Sequence, residues 1–299
     1  MLAVTILGNN SALPAFDRHP TAQVVTLNEN LFLVDCGEGT QVQIAKYRIK
    51  RSRIHHIFIS HLHGDHYFGL MGLITSMGLQ GRDQDLHLYG PEPLKEIIDL
   101  QMKAGKTLMP FNLYFYPLKD GVLIENDKFS VSCFSVIHRI ETWGFIFREV
   151  KAPRKLLPDQ LKFHQVPTSA YDQMKSGSDY VDESGRVVAN DSVTIAATPG
   201  RSYAYAADTL FDETIALKVK GVNTLYHEAT YPTGWEEKAA KRFHSTTLQA
   251  ARIAELAEVD RLLIGHFSSK YETLEIFEEE IKGAFERSDL ALEGVTFRV

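Results

Sequence analysis

The sequence predicts an α/β fold, a four-layer sandwich in which two β-sheets lie inside and helices cover both outer faces. Three observations lead to this prediction. Each half of the chain begins with short apolar runs typical of strands and then alternates strand-like and helix-like segments. Charged and imidazole side chains repeatedly follow the ends of these runs. A polar stretch over about residues 151–191 has little apolar periodicity, which predicts an arm inserted into a single domain of residues 1–299.

The first half is predicted to hold nine strands and three helices. Apolar runs bounded by turn residues predict the strands, and a hairpin turn is predicted at residues 28–30. These strands are Leu2–Leu7, Ala22–Leu27, Leu31–Asp35, Ile54–Ser60, Leu86–Tyr89, Leu113–Pro117, Val122–Ile124, Phe129–Ile137 and Trp143–Phe147. Helical spacing of apolar residues, with a proline suited to the first turn of the third segment, predicts helices over Gln41–Tyr47, Tyr67–Met77 and Pro93 to about Met102.

The same alternation returns after the arm. Strands are predicted at Val193–Ala197, Tyr203–Ala207, Thr224–His227, Arg261–Ile264 and Val295–Val299. Helices are predicted around Leu210–Val219, Thr246–Ala257 and Leu274–Phe285. This alternation of strands and helices favours inner layers of strands with the helices outside them.

Composition indicates an ordinary globular protein of the cytoplasm. No apolar run approaches the roughly 20 residues that span a bilayer. The N-terminus has no basic segment before its short apolar run, so it predicts a first strand and not a signal peptide. The only cysteines, Cys36 and Cys133, are far apart and do not indicate a disulfide framework.

The charge pattern does not by itself indicate a nucleic-acid partner. The formal net charge is −6, and an acidic surface repels phosphate at long range. One local run, KYRIKRSR at Lys46–Arg53, holds five basic residues and no acid. It is either a solvated face or an RNA contact, and the sequence leaves both open.

The segment HLHGDH concentrates metal-ligand side chains between a predicted strand and a predicted helix. Alternation along an extended segment places His61 and His63 on one side. Asp65 and His66 can face the same point from the first turn of the helix. Four such side chains are enough to begin two metal sites in one cavity, but zinc needs four or more ligands at each centre.

Further ligand-type residues follow other predicted strands. His138 follows the strand Phe129–Ile137, Asp208 follows Tyr203–Ala207, and His266 follows Arg261–Ile264. Any one of them alone would be read as a core or surface residue. Together with the HLHGDH cluster, their shared position at strand ends predicts a two-metal site.

The segment HLHGDH resembles the signature of the metallo-β-lactamase superfamily of metal-dependent hydrolases. Two further stretches, ILGNNSALP and FLVDCGEGTQ, resemble its first strand with a glycine loop and a second hallmark. The segments LYHEATY, HSTTLQAA and GHFSSKY resemble the ribonuclease Z family of tRNA 3′-processing endonucleases. The likeness extends over nearly the whole chain.

The resemblance implies a ligand for each position of two zinc sites per subunit. His61, His63 and His138 would hold one ion, Asp65, His66 and His266 the other, and Asp208 would bridge them. Asp65 would also accept a proton from the nucleophile. Manganese or iron is possible in place of zinc, because His/Asp sites accept several metals.

Two residues outside the ligand set complete the implied active site. In the family the glutamate of HEAT, here Glu228, orients the histidine of HST, here His244, which faces the scissile phosphate. A carboxylate behind an imidazole raises its pKa and selects its tautomer. The competing interpretations are a satisfied polar residue at a strand end for Glu228 and a residue at a helix N-terminus for His244. Asp35 is either a support for a ligand histidine or a loop anchor.

The chain departs from the family in its arm. The family's arm grips the tRNA elbow with a tip rich in Gly and Pro, whereas VPTSAYDQMKSG stands here. Residues 148–186 carry seven basic and six acidic side chains, a poor electrostatic match for RNA. Lys270 stands before Tyr271 where the family pattern has arginine, which keeps the charge but loses the guanidinium fork.

Three functions remain open on the sequence. The first is a zinc-dependent endoribonuclease that removes the 3′ trailer from precursor tRNA, leaving a 3′-hydroxyl on the tRNA and a 5′-phosphate on the trailer. The resemblance implies a homodimer for it, in which one subunit's arm serves the other's active site. The second is a hydrolase of another phosphodiester or a small ester or lactone. The third is an inactive RNA-binding scaffold, which the complete ligand set disfavours.

Overall fold

The computed structural model describes residues 1–150, 152–197 and 199–299. The chain divides into two compact units. The larger unit comprises residues 1–148 and 201–299, and the smaller one, residues 149–200, is inserted between those two segments. Arg148 and Ser202 are direct partners in neighbouring antiparallel strands, so the chain leaves and re-enters the larger unit at adjacent positions.

The larger unit contains most of the strands. The strands of the described residues are, in chain order, β1 (Leu2–Gly8), β2 (Asn10–Ser11), β3 (Ala22–Leu27), β4 (Asn30–Val34), β5 (Ile54–Phe58), β6 (Leu86–Gly90), β7 (Leu113–Pro117), β8 (Gly121–Glu125), β9 (Phe129–Val136), β10 (Thr142–Glu149), β11 (Lys155–Leu156), β12 (Tyr180–Val181), β13 (Val187–Val188), β14 (Thr194–Ile195), β15 (Ser202–Ala206), β16 (Thr224–Glu228), β17 (Arg261–Gly265), β18 (Phe267–Ser268), β19 (Ser288–Leu290) and β20 (Thr296–Arg298).

The helices alternate with the strands. They are α1 (Thr40–Lys46), α2 (Gly64–Tyr67), α3 (Leu70–Leu79), α4 (Pro93–Ala104), α5 (Pro158–Phe163), α6 (Tyr171–Ser176), α7 (Asn190–Val193), α8 (Thr214–Lys218), α9 (Glu236–Lys241), α10 (Thr247–Leu256) and α11 (Glu275–Ala284). Short 3₁₀ turns occur at Arg51–Arg53 and Thr168–Ala170.

Two seven-stranded sheets form the centre of the larger unit. The first has the order β20-β1-β3-β4-β5-β6-β7 and the second β19-β17-β16-β15-β10-β9-β8. In the first sheet β4 to β7 run parallel, and in the second β15, β16, β17 and β19 do. The carboxyl ends of several strands therefore meet at one edge of each sheet.

Three buried apolar clusters fix the layers. One cluster joins the facing sides of the two sheets and includes Val4, Phe58 and Tyr205. A second covers the other face of the second sheet with residues of α8, α10 and α11, and a third covers the first sheet with residues of α1, α3 and α4. The order helix, sheet, sheet, helix confirms the predicted four-layer α/β sandwich.

The predicted helix Tyr67–Met77 is wrong in detail, because two helices occupy this region. The first, α2, ends at Tyr67, and α3 begins at Leu70. At the break the Gly69 amide donates to the Cys36 carbonyl, and a Cβ on Gly69 would lie 2.2 Å from the Gly37 carbonyl oxygen. The backbone approach that glycine permits here ends the first helix.

The predicted strand Val193–Ala197 is also wrong in its placement. Only Thr194–Ile195 is a strand, and it pairs with Lys155–Leu156 inside the smaller unit. That unit has a small core of its own, which includes Leu161, Met174 and Val193. The arm is thus not an irregular polar stretch. Lys151, one of the basic residues counted in it, lies outside the described residues.

Two global features accompany this fold. Among the residues that the structure describes, no helix has the length and apolar character needed to cross a bilayer. Cys36 and Cys133 are both buried and unpaired. Burial raises the pKa of the Cys36 thiol to about 12 and that of Cys133 to about 11.

Candidate active site

The residues singled out in the sequence converge at the carboxyl ends of the strands. The HLHGDH segment follows β5, with His63 at the N-terminus of α2, which carries Asp65 and His66. The other predicted residues belong to the half of the site that the second sheet builds. Four of them end or follow strands of that sheet, and the fifth lies in the loop before α10. They are His138 after β9, Asp208 after β15, Glu228 at the end of β16, His266 after β17 and His244 before α10.

One group of potential ligands comprises three histidines and Asp208. Their donor atoms all lie within 4.8 Å of one another. His63 Nδ1 lies 3.1 Å from both His61 Nε2 and His138 Nε2. Asp208 Oδ2 lies 3.7 Å from His61 Nε2 and 4.0 Å from His138 Nε2.

The second group comprises Asp65, His66 and His266. Their donor atoms lie 3.4–3.7 Å apart: His66 Nε2 and His266 Nε2 are 3.4 Å apart, and Asp65 Oδ2 is 3.7 Å and 3.4 Å from them. The Ala12 amide donates a 2.7 Å hydrogen bond to the same Asp65 oxygen. This contact holds the carboxylate toward the two rings.

Asp208 lies between the two groups and presents one oxygen to each. Its Oδ2 faces His61 and His138, whereas its Oδ1 lies 3.3 Å from His66 Nε2 and 3.2 Å from His266 Nε2. Oδ1 is buried and accepts no hydrogen bond among the described residues. A buried oxygen without a donor is costly unless a cation lies beside it. The donor set of imidazoles and carboxylates is also the one that zinc prefers, so the residues fit a metal pair.

Four of the ring nitrogens that face away from the site have partners. His66 Nδ1 donates to Asp35 Oδ2 at 2.7 Å and His138 Nδ1 to the Phe243 carbonyl at 2.8 Å. His61 Nδ1 lies 3.0 Å from Ser60 Oγ, and His266 Nδ1 lies 2.9 Å from Thr230 Oγ1. Such contacts select the tautomer that leaves Nε2 free for a metal ion.

His63 is arranged differently from these four rings. Its Nδ1 faces the first group, and its Nε2 lies 3.2 Å from Arg139 Nη2. Burial and the neighbouring His138 lower the pKa of His63 to about 4, so the ring is neutral. A neutral ring is the form in which histidine binds metals.

The electrostatics of the site centre on Asp208, which lies between the two groups. Burial alone would raise the pKa of Asp208, but His266 and His66 hold it well below its usual range. Burial alone would lower the pKa of His66, but Asp208 and Asp35 raise it well above the ordinary value. In this cavity the carboxylates stay charged and attract positive charge.

Glu228 and His244 form a hydrogen-bonded pair beside the two groups. His244 Nδ1 donates to Glu228 Oε1 at 2.8 Å, and Glu228 is fully buried. The carboxylate also accepts from the backbone amides of Thr209 and Thr230 and from the Thr230 hydroxyl. Burial alone would lower the pKa of His244, but Glu228 raises it to about 9. The structure thus brings together the carboxylate and imidazole that the sequence paired.

Several supporting residues were missed by the sequence interpretation. The Thr230 hydroxyl donates to Glu228 and lies beside His266 Nδ1, so it connects the Glu228–His244 pair to the second group. The Ser60 hydroxyl donates to Asp35 and lies beside His61. Ser60 directly precedes His61, and Thr230 is the last residue of HEAT, so the sequence did contain a signal for both residues. Tyr205, whose hydroxyl donates to Asp35, carried no such signal.

His266 and Asp35 have left-handed backbone conformations that non-glycine residues rarely adopt. Their φ angles are +61° and +56°. Such conformations cost free energy and concentrate at functional sites, where surrounding contacts hold them in place. Both residues immediately follow strand ends, and the turn redirects each side chain toward the cluster.

The sequence matches proteins of known kind over most of its length. The family model described as Anti-Pycsar protein Apyc1 matches residues 2–249. A protein of Bacteroides fragilis named Ribonuclease Z is 41% identical over 293 residues, which cover 97% of this chain and 96% of that protein.

Solved structures show the same fold. Human tRNase Z, short form, aligns with a TM-score of 0.72 and 26% identity over 99% of both chains. The metallo-β-lactamase fold protein YhfI from Bacillus subtilis aligns with a TM-score of 0.71 and 17% identity over 100% of both chains. The second likeness concerns the fold alone.

Proposed function

Because the chain belongs to the ribonuclease Z family, and also to the family of the Apyc1 model, we propose that it is a metal-dependent endonuclease that removes the 3′ trailer from precursor tRNA. Cleavage would leave a 3′-hydroxyl on the tRNA and a 5′-phosphate on the trailer. The observation that carries this proposal is the pairing of two potential metal groups with the adjacent Glu228–His244 pair.

We assign two zinc ions to the two groups of ligands, with manganese or iron as substitutes. His61, His63 and His138 would hold one ion, Asp65, His66 and His266 the other, and Asp208 would contribute one oxygen to each. Ions held there would supply Lewis acidity and positive charge for phosphodiester hydrolysis. The outer contacts of the rings support this assignment because they hold each imidazole in one orientation.

Asp65 and His244 have complementary roles in the proposed reaction. Asp65 accepts the proton of the attacking water, and the Ala12 amide keeps its Oδ2 pointed into the site. His244 donates a proton to the departing 3′-oxygen of the tRNA. Glu228 orients His244 and keeps the ring protonated, which suits it to act as an acid.

The inserted unit, residues 149–200, is proposed to contact the tRNA away from the cleavage site, as the arm of one hydrolase domain. A homodimer is proposed on the same family grounds, with each arm serving the partner's active site. Sedimentation equilibrium would test the dimer. The cytoplasm is the proposed location, because precursor tRNA is processed there in bacteria.

The decisive experiment is incubation of the zinc-loaded protein with a 3′-extended precursor tRNA, followed by mapping of the cut and its end groups. The expected result is one cut at the 3′ end of the acceptor stem, with a 3′-hydroxyl on the upstream product. Cleavage at scattered positions, or a 3′-phosphate on that product, would contradict the proposal.

A second candidate is a hydrolase of another phosphodiester or a small ester or lactone. The nearly balanced charge of residues 148–186 favours it, because RNA binding draws on clustered cations. Bis(p-nitrophenyl) phosphate and a small lactone distinguish the candidates. Hydrolysis of either one without cleavage of precursor tRNA would favour the second.

A further inference from the structure

The active-site groups open into a cavity of about 520 Å³ whose rim is rich in cations. Arg139, Lys238, Arg242 and Lys270 line it together with Tyr231. Its carboxylates are Asp65 and Asp208, which belong to the metal groups, and Glu38. With metal ions bound, the cavity wall would be strongly positive, which suits an anionic polymer.

Lys238 is held over two aromatic rings. Its Nζ lies 4.6 Å from the centroid of the Trp235 ring and 5.1 Å from that of Tyr231. Trp235 precedes α9 and Lys238 lies within this helix, one turn along. Aromatic faces attract an ammonium group and reduce the number of conformations that its flexible stem samples. Lys238 therefore has a defined position, unlike most surface lysines.

Lys270 reaches the same point from the loop after β18. Both amines line the same cavity, and the nearby Lys270 amine lowers the pKa of Lys238. No carboxylate of the described residues forms an ion pair with either amine. Two positive charges on one cavity wall, without an acid between them, repel each other unless an anion binds both.

We propose that Lys238 and Lys270 together bind one phosphate of the RNA acceptor end, on the 5′ side of the scissile phosphate. This subsite rests on the proposed function, since it names how that substrate is held. Neither lysine touches the reacting atoms, so both are binding residues and not catalytic ones. Trp235 is a positioning residue that acts through Lys238.

The position of His244 indicates on which side of the scissile phosphate the two lysines bind the RNA. Lys238 lies over Tyr231, and the Tyr231 ring is 6.4 Å from the His244 ring between centroids. His244 is assigned to the departing 3′-oxygen, which belongs to the tRNA and not to the trailer. The phosphate that the two lysines reach is therefore on the tRNA side.

The test uses an RNA minihelix that ends in the 3′-hydroxyl of the product, because this RNA binds without being cleaved. Its dissociation constant is measured by fluorescence anisotropy with zinc-loaded wild type, Lys238→Ala, Lys270→Ala and the double variant. Lys220→Ala is the matched control, because it removes one cation far from the site. Lys220 is paired with Glu258 and precedes the first residue of β16, whereas Glu228 of the site ends that strand. A second minihelix carries neutral methylphosphonate at the last two linkages.

We expect about tenfold weaker binding by the double variant and a salt slope reduced by about one. The neutral linkages should weaken binding to wild type by a similar factor and have little further effect on the double variant, because both changes remove the same contact. Trp235→Ala should weaken binding several-fold, whereas Trp235→Phe should retain it.

The subsite is overturned if the double variant binds the minihelix as Lys220→Ala does, if wild type shows no saturable binding, or if the losses from the protein and RNA changes add fully. These outcomes are distinct from failure of the proposed function. Suppose that wild type leaves precursor tRNA uncut, but that the double variant still binds the minihelix more weakly than wild type does. The subsite then stands and the assigned reaction does not.

Discussion

The Tyr205 hydroxyl, in β15 of the second sheet, donates a 2.6 Å hydrogen bond to Oδ2 of Asp35, which directly follows β4 of the first sheet and lies 170 positions away in the sequence. The same oxygen accepts from His66 Nδ1 and from the Ser60 hydroxyl. Tyr205 is almost fully buried among apolar residues between the sheets. A tyrosine of the second sheet thus helps to orient His66, which lies in α2 after β5 of the first sheet.

Removal of this hydroxyl should weaken metal binding while leaving the fold intact. Tyr205→Phe keeps the ring in the core but removes one donor from Asp35, so His66 is held less firmly. We expect about 10-fold weaker zinc binding in a chelator competition. Tyr203→Phe is the control, because it removes a similar buried phenol bond, to Gln23, from the same strand. Equal losses in both variants would mean that the effect is one of general stability.

Asp65→Ala should abolish cleavage of precursor tRNA without unfolding the protein. The substitution removes both a ligand of the second group and the proposed proton acceptor, whereas the first group keeps all four of its members. Circular dichroism and zinc analysis check the fold and the remaining metal. Substantial cleavage by the metal-loaded variant would refute the proposed role of Asp65.

His244→Ala should leave the zinc content unchanged and reduce the cleavage rate by about 10²–10⁴, the usual range for a positioned acid or base. This test separates two roles for His244, because Asp208, His244 and His266 also form a group that could hold an ion. Zinc measured by atomic absorption decides between the two roles. Loss of one ion per subunit would make His244 a ligand.

Glu228→Gln should move the basic limb of the kcat profile to lower pH. The carboxylate raises the pKa of His244 to about 9 in the metal-free chain, and bound cations would lower it in both variants. A proton donor is active below its pKa, so activity falls as the pH rises through that value. Without the negative charge of Glu228, the activity should begin to fall at a lower pH. Coincident limbs in the two proteins would show that His244 is not the acid.

Replacement of the inserted unit should separate tRNA binding from chemistry. Because Arg148 and Ser202 are direct partners, a two-residue Asn-Gly turn can join the strands in place of residues 149–201. The shortened protein should hydrolyse bis(p-nitrophenyl) phosphate normally but cleave precursor tRNA with a KM about tenfold higher, as expected for the loss of one or two phosphate contacts. A parallel loss of both activities would make the unit structural.

The main features of the site could be predicted because they depend on local order in the chain. A strand end places the next one or two residues at the sheet edge, so His138, Asp208 and His266 could be located from apolar runs alone. The pairing of Glu228 with His244 required the family resemblance, since the two residues lie in separate segments. Their 2.8 Å hydrogen bond is a tertiary contact without a periodic signal.

The errors arose where tertiary contacts override local patterns. The apolar spacing of residues 67–77 continues through Gly69, but the close approach of the Cys36–Gly37 backbone ends the helix there. In the arm, elements of two to six residues form a core that is too small to produce visible periodicity. The shared position of Lys238 in α9 and Lys270 in the loop after β18 on one cavity wall is a tertiary relationship, and neither segment reveals it.

The two oxygens of Asp208, each facing a different group of potential ligands, have a consequence for how a pair of metal ions would bind. Each oxygen faces a different group, so one rotamer serves both. A first ion on either oxygen would restrict this rotamer and leave the other oxygen already aimed at the vacant group. The second ion then orders fewer atoms and binds more tightly, so uptake of the pair should be cooperative. At limiting zinc, the population would consist mainly of empty and fully occupied molecules.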